Sequence, residues 1–288
     1  MNSNRSWAGR LRVLLVLGRV SNLPTVWSNC LAAWLLGGGG LWQRFGLLCA
    51  GATLLYTGGM FLNDACDIEF DRRYRPERPI IAGQVSARAV WILAATWLTL
   101  GWLAIMPLGP AAATSGSALL ASIVCYDIAH KRFPLAPVLM AACRFLLYLV
   151  AASAAHGHAT EGTVWRALAL AAYIIGLSCL ARSESTGATA ARWPIALLFA
   201  PIAVALITSP ASGVMLWAVA AVQAVWVLWC LWGGKARRVF FNCGVAGLLA
   251  GIVLVDWLAA AGGSVATGAV FAGLFLLALL FQRVAPAT

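Results

Sequence analysis

The chain has 288 residues, 62% of them hydrophobic and only 10% charged, with a mean hydropathy of +0.87. That excludes an ordinary soluble domain: apolar runs of about 20 residues, each long enough to cross the hydrocarbon core of a bilayer, recur throughout. The net charge of +11 would suggest nucleic acid in a soluble protein, but here it is concentrated in alternating loops, so it reads as a topology signal and no nucleic-acid partner is expected.

The expected fold is all-α, a polytopic transmembrane helical bundle of nine or ten spans forming one integral-membrane domain over residues 1–288. Spans are expected at roughly 20–40, 45–63, 88–107, 109–126, 135–155, 163–181, 193–208, 211–232, 239–261 and 266–282. Nine stays open because Pro201 and Pro210 interrupt the Trp193–Trp232 region. With this partition only Arg44 and Arg166 fall on one side, while every other Lys and Arg outside the spans falls on the other. Short basic loops stay in the cytoplasm. The N-terminus, the C-terminus and the loop after the second span are therefore expected to face inward from a bacterial inner membrane, with the lipid bilayer as the surrounding partner.

Leu11–Leu17, behind Arg5, Arg10 and Arg12, reads as a retained amphipathic lead-in, because no small-residue cleavage site follows it. The first span opens on the polar, proline-marked stretch Arg19–Thr25 and carries Asn29 further in. Asn29 either reaches a ligand or hydrogen-bonds a neighbouring helix. Gly37–Gly40 reads as the outer turn.

The apolar run Phe45–Leu62 leads directly into Asn63-Asp64-Ala65-Cys66-Asp67-Ile68-Glu69-Phe70-Asp71, and five of the nine acidic residues lie between Asp64 and Glu77. If the helix continues through Asp71, at 100° per residue, Asn63, Asp64, Asp67 and Asp71 fall within an arc of about 100° and Glu69 points away. Like charges so arranged at a membrane surface repel, and desolvation adds to the cost. A bound cation resolves the conflict, and an oxygen-only ligand set favours Mg²⁺, which takes one or two carboxylates and leaves positions for phosphate and water. Arg72, Arg73, Arg75 and Arg78 follow, and guanidinium groups grip phosphate oxygens bidentately. Acid and base together suggest a metal-bound diphosphate; the alternative is a solvated, charge-balanced loop.

Two prolines and Gly83 stop the helix, Ser86 is a suitable cap for the third span, and the arginine-rich loop between them has the length of a lid. Asn63-Asp64-x-x-Asp67-x-x-x-Asp71 followed by Arg78-Pro79-Ile80-x-x-Gly83 resembles the first signature of the UbiA superfamily of intramembrane prenyltransferases. The resemblance implies a central cavity opening to the cytoplasmic side and Mg²⁺ bound through Asn63, Asp67 and Asp71, with Asp64 as a further ligand or support. It implies a polyprenyl diphosphate donor held partly by Arg72 and Arg78, and a small acceptor that the sequence leaves unidentified.

Tyr126-Asp127-Ile128-Ala129-His130-Lys131-Arg132 resembles the family's next basic element, with one extra residue between Tyr and Lys. By that resemblance Tyr126 and Arg132 are substrate contacts and Lys131 joins Asp67 and Asp71 as a catalytic group; Asp127 has no assigned role. Arg144 lies within the fifth span with Tyr148 one turn on, and an intramembrane arginine is a functional-site candidate by its cost alone. It either lines the cavity or pairs with Asp256, the isolated acid of the ninth span. The sixth span ends at Arg182-Ser183-Glu184, where the family's second aspartate-rich motif belongs; no aspartate is present. There Glu184 is the remaining candidate metal ligand and Arg182 a candidate diphosphate contact.

Beyond Trp193 the chain is apolar helix with lipid-facing or interfacial tryptophans. The eight cysteines form no C-x-x-C pair and read as buried filler. The implied chemistry is ionisation of an allylic diphosphate in a water-poor cavity, with aromatic faces such as Tyr148 or Tyr173 attracting the cation and an acceptor capturing it. A terpene cyclase acting on the donor alone is the first alternative. A cation-coupled transporter is the alternative of another class, disfavoured because the acidic cluster lies at a membrane edge and not at the midplane.

Overall fold

In lipid a chain must satisfy its own backbone polar groups, and long apolar runs do so as helices. A computed structural model describes residues 7–129, 135–186, 192–208, 213–232, 244–261, 263–283 and 285; among them the regular structure is helical, with no strand. In chain order the helices are α1 (Trp7–Leu17), α2 (Leu23–Leu36), α3 (Trp42–Cys66), α4 (Ile68–Tyr74), α5 (Ala87–Ile105), α6 (Pro110–Ala129) and α7 (Ala136–His156). They continue with α8 (Glu161–Thr186), α9 (Trp193–Leu197), α10 (Ala200–Thr208), α11 (Val214–Trp232), α12 (Val245–Ala250), α13 (Ile252–Ala259) and α14 (Val265–Phe281).

Each of the expected spans has a helical segment, but their lengths differ. Among the described residues six stretches, Trp42–Cys66, Ala87–Leu108, Pro110–Ala129, Ala136–His156, Glu161–Ser183 and Val214–Trp232, are long and apolar enough to cross a membrane. The segments Trp193–Thr208, Val245–Ala259 and Val265–Phe281 are shorter. The first two of these are each divided into two helices, after Leu197 and at Gly251.

Local chemistry explains the ends. Ser86 Oγ accepts from the Ala89 N–H at 3.2 Å and starts α5 as expected, and Ser264 Oγ does the same for Thr267 and α14 at 3.3 Å. Gly38, Gly39 and Gly40 all have positive φ and form the turn between α2 and α3. Packing at the α3–α5 seam depends on the absence of side chains: a Cβ at Gly101 would lie 2.8 Å from the Leu55 nitrogen and 2.9 Å from the Gly51 carbonyl oxygen. Small residues let two membrane helices approach this closely.

Helix α2 holds the bundle together, packing on α3, α7, α13 and α14. At one end, Arg44 at the start of α3 donates to the carbonyls of Leu108 and Ala154, and Arg166 near the start of α8 donates to that of Ala259 at 3.1 Å. These bonds gather the far ends of α3, α5, α7 and α13. The acidic motif, at the C-terminal end of α3, lies at the opposite end of the bundle.

Candidate active site

Helix α3 does not run through the motif. It stops at Cys66, Asp67 takes φ −89° and ψ 1°, and α4 starts at Ile68. The uninterrupted 100° register expected through Asp71 is therefore corrected at Asp67, in the bridge region of backbone space where active-site residues recur. Asp64 and Asp71 remain together, both only 4% exposed, and line a narrow concavity with Leu17, Arg78, Ile80 and Ile81. Asp67 is half-buried at the break, within electrostatic reach of Asp64. Glu69 is exposed, as the spacing required.

Asp64 is held by two arginines through one oxygen: Arg78 Nη1 lies 3.4 Å and Arg19 Nη2 3.6 Å from Oδ1. Its other oxygen, Oδ2, is buried and accepts no hydrogen bond. The same Arg19 nitrogen donates to Asn63 Oδ1 at 3.3 Å, and Asn63 Nδ2 donates to Asp127 Oδ1 at 3.1 Å. Arg19 reaches this position from φ 42° and ψ 49°, and is the one non-glycine with positive φ among the described residues. Such a backbone costs of order 1–3 kcal/mol and persists where surrounding contacts over-determine it.

The loop after α4 closes over the cluster. Gly83 adopts φ +66°, the Ala82 N–H donates to the Arg78 carbonyl at 2.8 Å and the Gln84 N–H to that of Pro79 at 2.8 Å. This compact turn presses Ile80 and Val85 against the core. Its form is a cover seated on the site.

A second polar assembly lies deeper. Asn63 and Tyr56 are two turns apart on α3, about 10 Å, and the Arg144 guanidinium lies 5.9 Å from the Tyr56 ring centroid. Arg144 donates to Asn29 Oδ1 at 2.6 Å, to Thr25 Oγ1 at 3.0 Å and to the Thr25 carbonyl at 3.2 Å. Asn29 Nδ2 in turn donates to Asp256 at 2.7 Å, and the same carboxylate accepts from Ser28 and, at 2.6 Å, from the Tyr148 hydroxyl. Arg144 and Asp256 thus belong to one network without touching, with Asn29 between them. Of the two readings of Asn29, the bond to neighbouring helices is the one observed.

Other expected residues are placed differently. Tyr148 is wholly buried with its hydroxyl on Asp256, and Tyr173 is wholly buried with its hydroxyl on the Leu248 carbonyl at 2.8 Å, so neither ring presents the open face expected for a cation. The half-buried aromatic ring beside Arg144 is that of Tyr56. Arg72 is exposed on α4, Arg182 is exposed near the end of α8, and Tyr126 is half-buried beside the buried Asp127. His130, Lys131, Arg132 and the Glu184 side chain lie outside the described residues. Sequence reasoning missed Arg19, Ser28, Tyr56 and Asp127. Two signals pointed toward some of them: Arg144 and Asp256 isolated deep inside two spans, and one acid beside Tyr126 in an otherwise basic loop.

Among the described residues no three His, Cys, Asp or Glu side chains form a group able to hold a metal ion alone. Mg²⁺ does not need three: one or two carboxylates suffice when phosphate and water complete an octahedron. Asn63 Oδ1, Asp64 and Asp71 suit that role, and the buried, unsatisfied Asp64 Oδ2 is the kind of atom that calls for a cation. Arg19 and Arg78 beside them suit the oxygens of a diphosphate.

Known proteins share part of this sequence and this fold. The 4-hydroxybenzoate octaprenyltransferase of Cupriavidus necator is 32% identical over 103 residues, which cover 35% of this chain and 34% of that protein, so the match spans about a third of the relative's length. The apo structure of a UbiA homologue from Aeropyrum pernix K1 shares the fold with a TM-score of 0.66 at 19% identity, covering 83% of this chain and 96% of that one. A UbiA homologue from Archaeoglobus fulgidus, bound to GPP and Mg²⁺, gives a TM-score of 0.60 at 13% identity, covering 94% and 99%. The family pattern itself matches residues 21–185, from the entry of α2 through the acidic motif and Arg144 to the end of α8, and by that match the chain belongs to the UbiA prenyltransferase family.

Proposed function

We propose that this protein transfers a polyprenyl group from an isoprenoid diphosphate to a small acceptor within the membrane, in a Mg²⁺-dependent reaction that releases pyrophosphate. The observation that carries this reading is the buried Asn63–Asp64–Asp71 cluster, with one carboxylate oxygen unsatisfied and two guanidinium groups beside it. When bound, Mg²⁺ supplies charge neutralisation to the departing diphosphate.

The chain's own residues supply the rest. Asn63, Asp64 and Asp71, with Asp67 at the break, hold the metal edge, and Glu184 is the corresponding carboxylate on α8. Arg78 and Arg72, with Lys131, Arg132, Arg182 and Tyr126, are the donors assigned to the phosphate oxygens, on which negative charge grows as the allylic C–O bond breaks. Leu17, Ile80 and Ile81 wall the site and keep water away, which protects an allylic cation from hydrolysis. The acceptor is placed toward Arg144, whose half-buried guanidinium is fixed by Thr25 and Asn29. Tyr148 supports that position through Asp256. The whole chain acts as one domain, with the mouth of the site on the cytoplasmic face of a bacterial inner membrane.

The test is to incubate the purified protein in nanodiscs with geranyl, farnesyl or geranylgeranyl diphosphate, with Mg²⁺ or with EDTA, and to measure pyrophosphate and organic products. Mg²⁺-dependent pyrophosphate release is expected, lost in Asp67→Ala and in Asp71→Ala while the folded, inserted protein is retained. Full turnover in both variants removes the metal assignment. A cyclic hydrocarbon or terpene alcohol formed from donor alone moves the assignment to a terpene cyclase.

A further inference from the structure

Asp127 lies on α6, outside the signature residues, yet it is only 3% exposed and in direct contact with the site. Its Oδ1 accepts the Asn63 Nδ2 hydrogen bond at 3.1 Å. An ionised carboxylate accepts but does not donate, so it must face the NH₂ edge of the Asn63 amide. The amide oxygen is thereby turned to the opposite edge. That oxygen is the atom of Asn63 suited to a hard cation, and there it meets the positive charge of Arg19, whose Nη2 also approaches Asp64 Oδ1. Arg19, a donor only, favours the same orientation from the oxygen edge at 3.3 Å; Asp127 supplies the shorter bond from the NH₂ edge at 3.1 Å, and without it the amide is held from one side alone.

We propose that Asp127 is a positioning residue of the diphosphate–metal site: it orients Asn63 so that Oδ1, not Nδ2, faces the bound cation. The proposal rests on the reading of Asn63, Asp64 and Asp71 as the Mg²⁺ edge. It adds a carboxylate from α6 that acts through its neighbour, as the partners of metal-binding side chains commonly do.

The experiment measures binding without turnover. Mn²⁺, followed by the electron paramagnetic resonance signal of the free ion, is titrated into the full-length protein in detergent with inorganic pyrophosphate present. The variants are Asp127→Ala, Asp127→Asn, Asn63→Ala and the double variant Asn63→Ala with Asp127→Ala, each checked for wild-type helix content and size-exclusion behaviour. Asp127→Leu replaces Asp127→Ala if the latter does not fold. Asp127→Ala is expected to weaken Mn²⁺ binding by about tenfold or more. Asp127→Asn, whose amide can offer Asn63 either its oxygen or its NH₂, is expected to fall between the wild type and Asp127→Ala. In the Asn63→Ala background, removal of Asp127 is expected to have no further effect. Wild-type affinity in Asp127→Ala overturns the proposal. Independent losses that multiply in the double variant overturn it in favour of Asp127 acting by its own charge. Absence of Mn²⁺ binding in the wild type overturns the underlying metal reading instead, and is recognised because all variants are then equally silent.

Discussion

Asn29 links a cation to an anion without being charged itself. Its oxygen takes Arg144 and its nitrogen gives to Asp256, so the two opposite charges of the membrane interior are balanced across one amide. A direct pair would occupy the guanidinium face with the carboxylate; the bridge instead gives Asp256 to Ser28, Asn29 and Tyr148. Removing one partner of a buried charge pair typically costs 3–5 kcal/mol, because the other is left uncompensated. Arg144→Ala and Asp256→Ala are each expected to lose about that much, and the double variant to be less destabilised than their sum by about 0.5–3 kcal/mol. Reversible unfolding in mixed micelles checks this, and strict additivity would show that Asn29 transmits no coupling. Both charged residues stood out in the sequence as isolated ionisable groups in apolar spans. Their pairing was one of the two readings the sequence offered; the Asn29 bridge was not legible, because Asn29 and Asp256 are 227 positions apart and the choice between a direct and a bridged pair depends on how α2 sits between α7 and α13.

The helices themselves were legible because each apolar run is bounded by a basic loop, a proline or a glycine, and Ser86 begins α5 as its position suggested. The break at Asp67 was not, since Cys66-Asp67-Ile68 contains no helix breaker. It explains why the sequence placed Asp67 on the same face as Asp64 and Asp71, whereas the concavity is lined by the latter two. The α3–α5 seam was also hidden, because a glycine within a span does not announce which helix it faces. Adding even a methyl group at Gly101 brings it against backbone atoms of α3, which cannot rotate aside. Overpacking of this kind costs about 1–3 kcal/mol. Gly101→Ala is expected to lower the unfolding midpoint in detergent, with a larger fall for Gly101→Val; an unchanged midpoint in both would mean that α5 is free to shift on α3.

At the level of the whole molecule, the basic-loop asymmetry read from the sequence expects both termini on the same, cytoplasmic side. A C-terminal green fluorescent protein fusion is then expected to fluoresce and a C-terminal alkaline phosphatase fusion to be inactive; the reverse pattern would give an odd number of crossings. The two exceptions to the asymmetry, Arg44 and Arg166, have structural work at the far end, where they donate to the carbonyls of Leu108, Ala154 and Ala259. Arg44 fastens α3 to the ends of α5 and α7 at a point about 28 Å along the helix from Asn63, at 1.5 Å per residue. Between that fastening and the acidic motif the α3 backbone is held again where it meets Gly101, so the height and direction of Asn63 are set by two fixed points on α3 that lie outside the site itself.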